Sequence, residues 1–174
     1  MSVMQLIAPA IGDVVDAPTF ALALVEHFEG FRSRPYQDGG GVWTIGYGTT
    51  RINGYRVLQT TPAITVAQAL QYLLDDMQST IDSVAHLVSV EQSVCQTAAL
   101  ISLVYNIGIG HFTASTLRRL INAQDKNAAQ HFLDWDMINH VESTGLLARR
   151  KMEYAVYTGK LDYPTFIHLF PIAA

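Results

Sequence analysis

The sequence predicts an α+β domain of two lobes: an amphipathic helix, a small antiparallel β meander, then a larger helical lobe, with a cleft between the lobes. Three observations predict it. Apolar residues recur at helical spacing near the N-terminus and again from Thr65 onward. Between these stretches lies a glycine-rich segment with β-branched and aromatic residues and an Asn53-Gly54 turn. The 174 residues also suit a single domain, at ~150 residues each. Residues 1–16 read as an N-terminal extension and 17–174 as that domain.

The first helix spans about 18–30. Phe20, Leu24, Phe28 and Phe31 repeat at three- and four-residue steps, Leu22 and Val25 widen the stripe, Asp16 and Pro18 start it, and Gly30 stops it. Strands follow over about 35–58. Gly39-Gly40-Gly41 is a turn, and Val42 to Ile45 with Tyr47 suit a strand. Asn53-Gly54 closes a hairpin, because a type I′ turn needs positive φ at both central residues. Thr65 to Gln68 reads as a capping box opening a helix whose apolar face runs through Val66, Leu70, Leu73, Met77, Ile81 and Val84. A second box, Ser89 to Gln92, opens a helix ending near Asn106. Its middle, Thr97 to Val104, is apolar on nearly every side, which belongs at the centre of a core, and Gly108 and Gly110 end it. Shorter helices follow at about 113–123, 126–138 and 144–157, and the tail 160–174, with Pro164 and Pro171, reads as packed turns.

Composition excludes several classes. A hydrophobic share of 49% with only 15% charged residues is not that of a disordered chain. A formal charge of −4 gives no general basic footprint for nucleic acid. The single cysteine, Cys95, cannot form an internal disulfide and reads as an inert buried thiol. No stretch nears the ~18 apolar residues of a membrane span. Met1 to Ile11 lacks a basic n-region and runs into Asp13 and Asp16, so it does not read as a signal peptide, and synthesis in the cytoplasm is expected.

The chemistry concentrates in Glu29, Asp38 and Thr44. Glu29 ends an apolar helix, where the negative end of the helix dipole and the neighbouring Phe28 and Phe31 disfavour the carboxylate. Asp38 stands beside three glycines with free N–H groups, a setting that keeps a carboxylate ionised. Two carboxyls pushed apart in this way suit glycoside hydrolysis, one donating a proton and the other activating or replacing water. Thr44, on the first good strand, could hold that water. Each of the three also has an ordinary structural reading, as solvated helix end, turn former and strand residue.

The spacing Glu29-x8-Asp38-x5-Thr44 resembles the signature of the phage-type lysozymes (muramidases), the endolysins of glycoside hydrolase family twenty-four. Phe28 to Arg32, Tyr36 and Trp43 to Gly48 agree with it, as do Tyr105 to Gly108, Ser115 to Leu117, and Gly145-Leu-Leu-Ala-Arg-Arg-Lys-Met-Glu153. The resemblance covers about residues 20–160. It implies a lysozyme-like fold and hydrolysis of the β-1,4 bond between N-acetylmuramic acid and N-acetylglucosamine in bacterial peptidoglycan, usually with inversion, without cofactor or metal. It implies Glu29 as general acid, with Asp38 and Thr44 positioning water. It further implies a monomer that does not insert stably in membranes, is made in the host cytoplasm and depends on a holin to reach the wall. Thr49 stands where many relatives carry a histidine paired with an acid, here Asp75 or Asp76.

The remaining residues keep two readings. Trp43 and Tyr47 either stack on sugar rings or join the core. Asn106 either reaches a sugar amide or caps its helix. Arg149, Arg150 and Lys151 are either a solvated face or a group of which one arginine, Arg149 by expectation, lines the cleft at Glu29 and favours its carboxylate, opposing the helix end. His27 is a solvated helix residue or a proton shuttle, and Asp136 with His140 is too sparse for a metal site. A glycan-binding module without activity and a hydrolase of chitin are the rival functions.

Overall fold

The computed structural model describes residues 15–138 and 141–171. Helix α1, Ala17–Glu29, begins where the Asp16 side chain accepts from Thr19 N at 2.8 Å, with proline in its first turn. Everything from Phe20 to Glu26 is buried. Two short ladders follow: β1 (Arg32–Gln37) pairs antiparallel with β2 (Trp43–Gly46), and β3 (Arg51–Ile52) with β4 (Tyr55–Arg56). The expected meander is therefore two separate hairpins, linked through the Ile45–Thr49 bridge. Asn53 and Gly54 have φ of 51° and 83°, the pair of positive angles the turn demands.

Gly46 fixes how the small lobe sits on the large one. Its φ is +66°, and an added Cβ would lie 3.0 Å from Cβ of Ala69. The end of β2 is thus pressed against α2, Val66–Leu87, opened by the Thr65–Gln68 capping box.

Helix α3, Val94–Ile107, is the centre of the core, with Ala98 to Val104 all buried. It packs against α1, α2 and α6 (Thr144–Tyr157). Its capping box is Ser93–Gln96, not the Ser89 box, because Ser93 has the extended backbone of an N-cap and its hydroxyl accepts from Gln96 N. Gly108 (φ 88°) ends it, but Gly110 does not break the chain: it lies within α4, Ile109–Ala114. The single helix expected at 113–123 is split at Ser115, whose side chain caps α5, Thr116–Asn122. The region 126–138 is not a helix. It holds a 3-10 turn, Ala128–Phe132, and then β5 (Met137–Ile138), which pairs with β6 (Val141–Glu142). The tail also departs from turns: Asp162 caps α7, Tyr163–Leu169, with Pro164 tolerated in its first turn. Phe166 of α7 is buried against Phe20, their rings 5.7 Å apart. Cys95 is half-buried against the core, and burial pushes its thiol up.

Met1–Val14, including the segment read as no signal peptide, and His140 lie outside the described residues. No described helix is long and apolar enough to cross a membrane.

Candidate active site

Glu29 is the last residue of α1, and Gly30 (φ 70°) turns the chain away behind it. The Glu29 side chain is 29% exposed, and Arg149 Nη1 donates to its Oε1 at 2.9 Å. From the small lobe, Gly48 approaches so closely that a Cβ there would stand 4.0 Å from Glu29 Oε2. The carboxyl is thus bracketed by an arginine of α6 and the loop after β2.

Arg149 is immobilised in turn. Its Nε donates to Glu153 Oε1 (3.2 Å), its Nη2 to the Ser102 carbonyl (3.4 Å), and its guanidinium lies 4.9 Å from the Phe28 ring centre. Glu153, fully buried, accepts the Ser102 hydroxyl at 2.7 Å. Arg150 is fully buried as well. Its Nη2 donates to Asn106 Oδ1 at 2.6 Å, and its Nε lies 3.2 Å from Glu153 Oε2 as an ion pair without hydrogen-bond alignment. Burial brings Arg150 down to about 10, still charged at neutral pH. Neither arginine belongs to a solvated face, which corrects that reading of the basic run; Lys151 alone of the three is exposed. Asn106 is exposed and bound to Arg150. It is not the cap, which is Gly108.

Asp38 occupies the β1–β2 turn. Its Oδ1 accepts from Gly40 N (2.9 Å) and Val42 N (2.8 Å), whereas its Oδ2 has no hydrogen bond among the described residues. The loop therefore holds the carboxylate by one oxygen and leaves the other open. Thr44 sits on β2 opposite Tyr36, and its hydroxyl donates to the Val42 carbonyl at 3.0 Å. Thr44 is itself buried, 3% exposed, and with its proton so committed its oxygen is left as an acceptor.

Tyr47 takes the core alternative. It is 1% exposed, its ring packs on Phe31 at 5.6 Å, and its hydroxyl donates to Glu26 Oε1 at 2.8 Å, so the substrate-binding role expected of it is not kept. Burial pushes the Glu26 carboxyl up, against the opposing Tyr47 hydrogen bond. Thr49 retains the link expected of a histidine, in neutral form: it donates to Asp76 at 3.0 Å. Tyr105, between Asp76, Glu29 and Arg149, is kept a neutral phenol, first by burial and then by the two carboxylates. His27 is exposed on α1, its ring tilted against that of Phe170 with centres 4.5 Å apart, and it makes no hydrogen bond to Glu29.

Ser102 and Glu26 were not anticipated, and Tyr105 and Glu153 stood in the matching segments with no role assigned to them. Ser102 had a visible signal, as the one hydroxyl in the run Ala98 to Val104 at the middle of α3. Glu153 had another, lying four residues after Arg149 and three after Arg150 on one helix.

A helix-rich lobe with a small antiparallel β lobe is the architecture of a lysozyme-like glycoside hydrolase, and here it carries a glutamate at a helix end and an aspartate in a strand turn. Comparison with known proteins agrees: the phage lysozyme family model matches residues 26–153, and the chain belongs to that family. It is 33% identical over 141 residues to the endolysin of Acyrthosiphon pisum secondary endosymbiont phage 1, covering 78% of this chain and 93% of that one. A relative from Enterobacteria phage P21, named a SAR-endolysin, is 32% identical over 126 residues, 72% of this chain and 74% of its own. Among solved structures, the endolysin from Escherichia coli O157:H7 phage FAHEc1 superposes with a TM-score of 0.77 at 35% identity, covering 83% of this chain and 94% of that one. The protein is a peptidoglycan-degrading enzyme of phage lysis.

Proposed function

We propose that this enzyme cleaves the β-1,4 bond between N-acetylmuramic acid and N-acetylglucosamine, with Glu29 as general acid and Asp38 and Thr44 holding the attacking water. The reading rests chiefly on the unequal way the two carboxyls are held. Glu29 has Oε1 tied to Arg149, so the transferable proton belongs on Oε2, the oxygen that faces the small lobe. Asp38 has Oδ1 tied to two backbone N–H groups, and Oδ2 is free to accept from water. Thr44, its own proton given to a carbonyl, accepts the water's second hydrogen bond. The water turns its lone pair on the anomeric carbon; as that bond forms Asp38 takes one of its protons, and as the glycosidic bond breaks Glu29 protonates the leaving oxygen. That is a single displacement and inverts the anomeric centre.

The test is Glu29→Gln together with product analysis. The variant folds, and its release of reducing ends from purified peptidoglycan falls on the order of 10²-fold or more. Retention of a tenth of wild-type activity, or products ending in N-acetylglucosamine at the reducing end, would overturn the assignment.

For delivery, the reading is a monomer made in the host cytoplasm that meets the wall after a holin permeabilises the membrane. Expression alone then leaves cells intact until chloroform or a holin is supplied. Spontaneous lysis that requires the Sec machinery, as an export-competent N-terminal segment would give, refutes it.

A further inference from the structure

The small lobe carries a second concave surface that the proposed reaction does not use. It is an open groove of about 400 Å³, lined by Val42, Trp43, Arg51, Arg56 and Leu58 among others. Trp43 and Thr44 are consecutive on β2, and consecutive strand residues point to opposite faces. The groove therefore lies on the other face of β2 from Thr44.

Its charge is unusual. The register of β3 and β4 puts Arg51 directly opposite Arg56, and like charges so placed destabilise a ladder. No carboxylate among the described residues forms an ion pair with either one. Arg51 donates only to the Gly54 carbonyl, at 3.0 Å, and the Arg56 side chain makes no hydrogen bond among the described residues. On a chain of net charge −4, two unneutralised guanidiniums are thus held side by side, next to a half-buried indole and the exposed Val42 and Leu58. Nothing in the fold requires this. Positions 51 and 56 are exposed ends of two-residue strands, where a residue of opposite sign would serve the hairpin better.

We propose that this groove binds a carboxylate-bearing peptide stem of peptidoglycan, with Arg51 and Arg56 taking the carboxylate and Trp43, Val42 and Leu58 the apolar part of the stem. Guanidinium is the side chain best shaped for a carboxylate, which it grips by two parallel hydrogen bonds. The groove's lining includes none of Glu29, Asp38 and Thr44, so what reaches it from a glycan strand held at those residues is a branch of the strand. The branches of this polymer that carry carboxylates away from the strand are its peptide stems. The site extends the proposed function by recognising the branch as well as the backbone of the substrate, and it rests on that reading only for the source of the ligand.

Two measurements test it. The first uses the double variant Arg51→Gln/Arg56→Gln on intact sacculi and on glycan strands freed of stems by an amidase. On sacculi the KM rises about fivefold, the size expected for two exposed charge contacts, and kcat is unchanged. On stem-free strands, which keep the lactyl carboxylates of the sugars, both constants match wild type. An equal rise on both substrates, or no rise on sacculi, overturns the proposal. The second measurement needs no catalysis. In a Trp135→Phe background, Trp43 is the one remaining tryptophan. A soluble stem tetrapeptide quenches or shifts its fluorescence saturably, and does so far more weakly when both arginines are glutamine. Absence of a saturable response in the parent overturns the groove site, even if hydrolysis of the wall proceeds as proposed. Conversely, a response from an enzyme that cuts no glycan bond would refute the proposed function and leave the groove standing.

Discussion

Replacing Tyr47 by Phe and Glu26 by Gln separates two contributions that meet at one buried contact. Glu26 is 6% exposed and lies one helical turn before Glu29. Its Oε1 takes the Tyr47 hydroxyl at 2.8 Å, its Oε2 has no partner, and both residues line a cavity of about 200 Å³ with His27, Phe31 and Phe170. Tyr47→Phe removes only the hydroxyl and leaves the buried carboxyl with no hydrogen bond, which costs about 1–3 kcal/mol. A chain of this size loses ~2–4 °C of Tm per kcal/mol, so the melting point should fall by roughly 2–12 °C. Glu26→Gln keeps the acceptor for Tyr47 and removes the possibility of charge. Burial raises the Glu26 carboxyl above its value in the unfolded chain. Its contribution to stability is therefore complete below the unfolded value and is lost as pH rises through the folded one. Glu26→Gln should accordingly stabilise the fold at pH 7.5 and gain little at pH 4, where the native side chain is already neutral. Thermal melts by circular dichroism at both values, on wild type, both single variants and the double, measure this directly. An equal effect of Glu26→Gln at the two pH values, or a loss of stability at pH 7.5, would refute the reasoning.

Arg149→Ala strands the fully buried Glu153 with half its cationic partners, so it should cost about 3–5 kcal/mol in chemical denaturation, and activity should fall with it; unchanged stability would show the network to be loosely coupled. Thr44→Val removes the hydroxyl but not the β-branch, and should lower kcat more than it changes KM; full activity removes Thr44 from the mechanism. Gly46→Ala forces a methyl to 3.0 Å from Ala69 at a positive φ, and should destabilise the fold by about 1–3 kcal/mol in a denaturant titration; a neutral result would mean that β2 can lift from α2. The exposed arginines at 32, 34, 51 and 56 should make wall digestion weaken as salt rises, since screening acts over ~8 Å at physiological ionic strength, while short uncharged amino-sugar oligomers are cut at an unchanged rate. Equal salt sensitivity on both substrates would leave those arginines as ordinary surface.

The features legible in the sequence were those set by local chemistry. Asp16, Thr65 and the Asn53-Gly54 turn act through bonds to residues within a few positions, so their letters suffice. The Ser93 box was missed for Ser89 because both offer a hydroxyl followed by a glutamine three residues on, and only packing decides where the chain turns helical. The same holds for α7, which forms because Phe166 finds Phe20, a partner 146 positions away. At the site, the order of Glu29, Asp38 and Thr44 could be read directly. Of the arginine pair, Arg149 was expected beside Glu29 and is found there, but the full burial of Arg150 was not legible, since a run of two arginines and a lysine looks like solvated surface. What holds both arginines inside is Glu153, with Glu29 and Ser102 on Arg149 and Asn106 on Arg150, residues drawn from three helices. Glu26 was hidden for a similar reason: its hydrogen-bond partner lies 21 residues ahead, on the loop after β2.

The bond between Glu29 and Arg149 joins positions 120 residues apart. The ribosome adds about 5–20 residues per second, so the segment holding Glu29, Asp38 and Thr44 is finished roughly 5–20 s before position 149 is made. Throughout that interval the carboxyl proposed as the acid exists without its arginine partner, and α6, which carries that arginine, cannot yet pack on α3. On the proposed mechanism, a chain without α6 is expected to be inactive. For an enzyme of phage lysis, competence that waits for α6 would be a safeguard written into the order of the polypeptide, and a protease that clips the chain ahead of α6 would remove it.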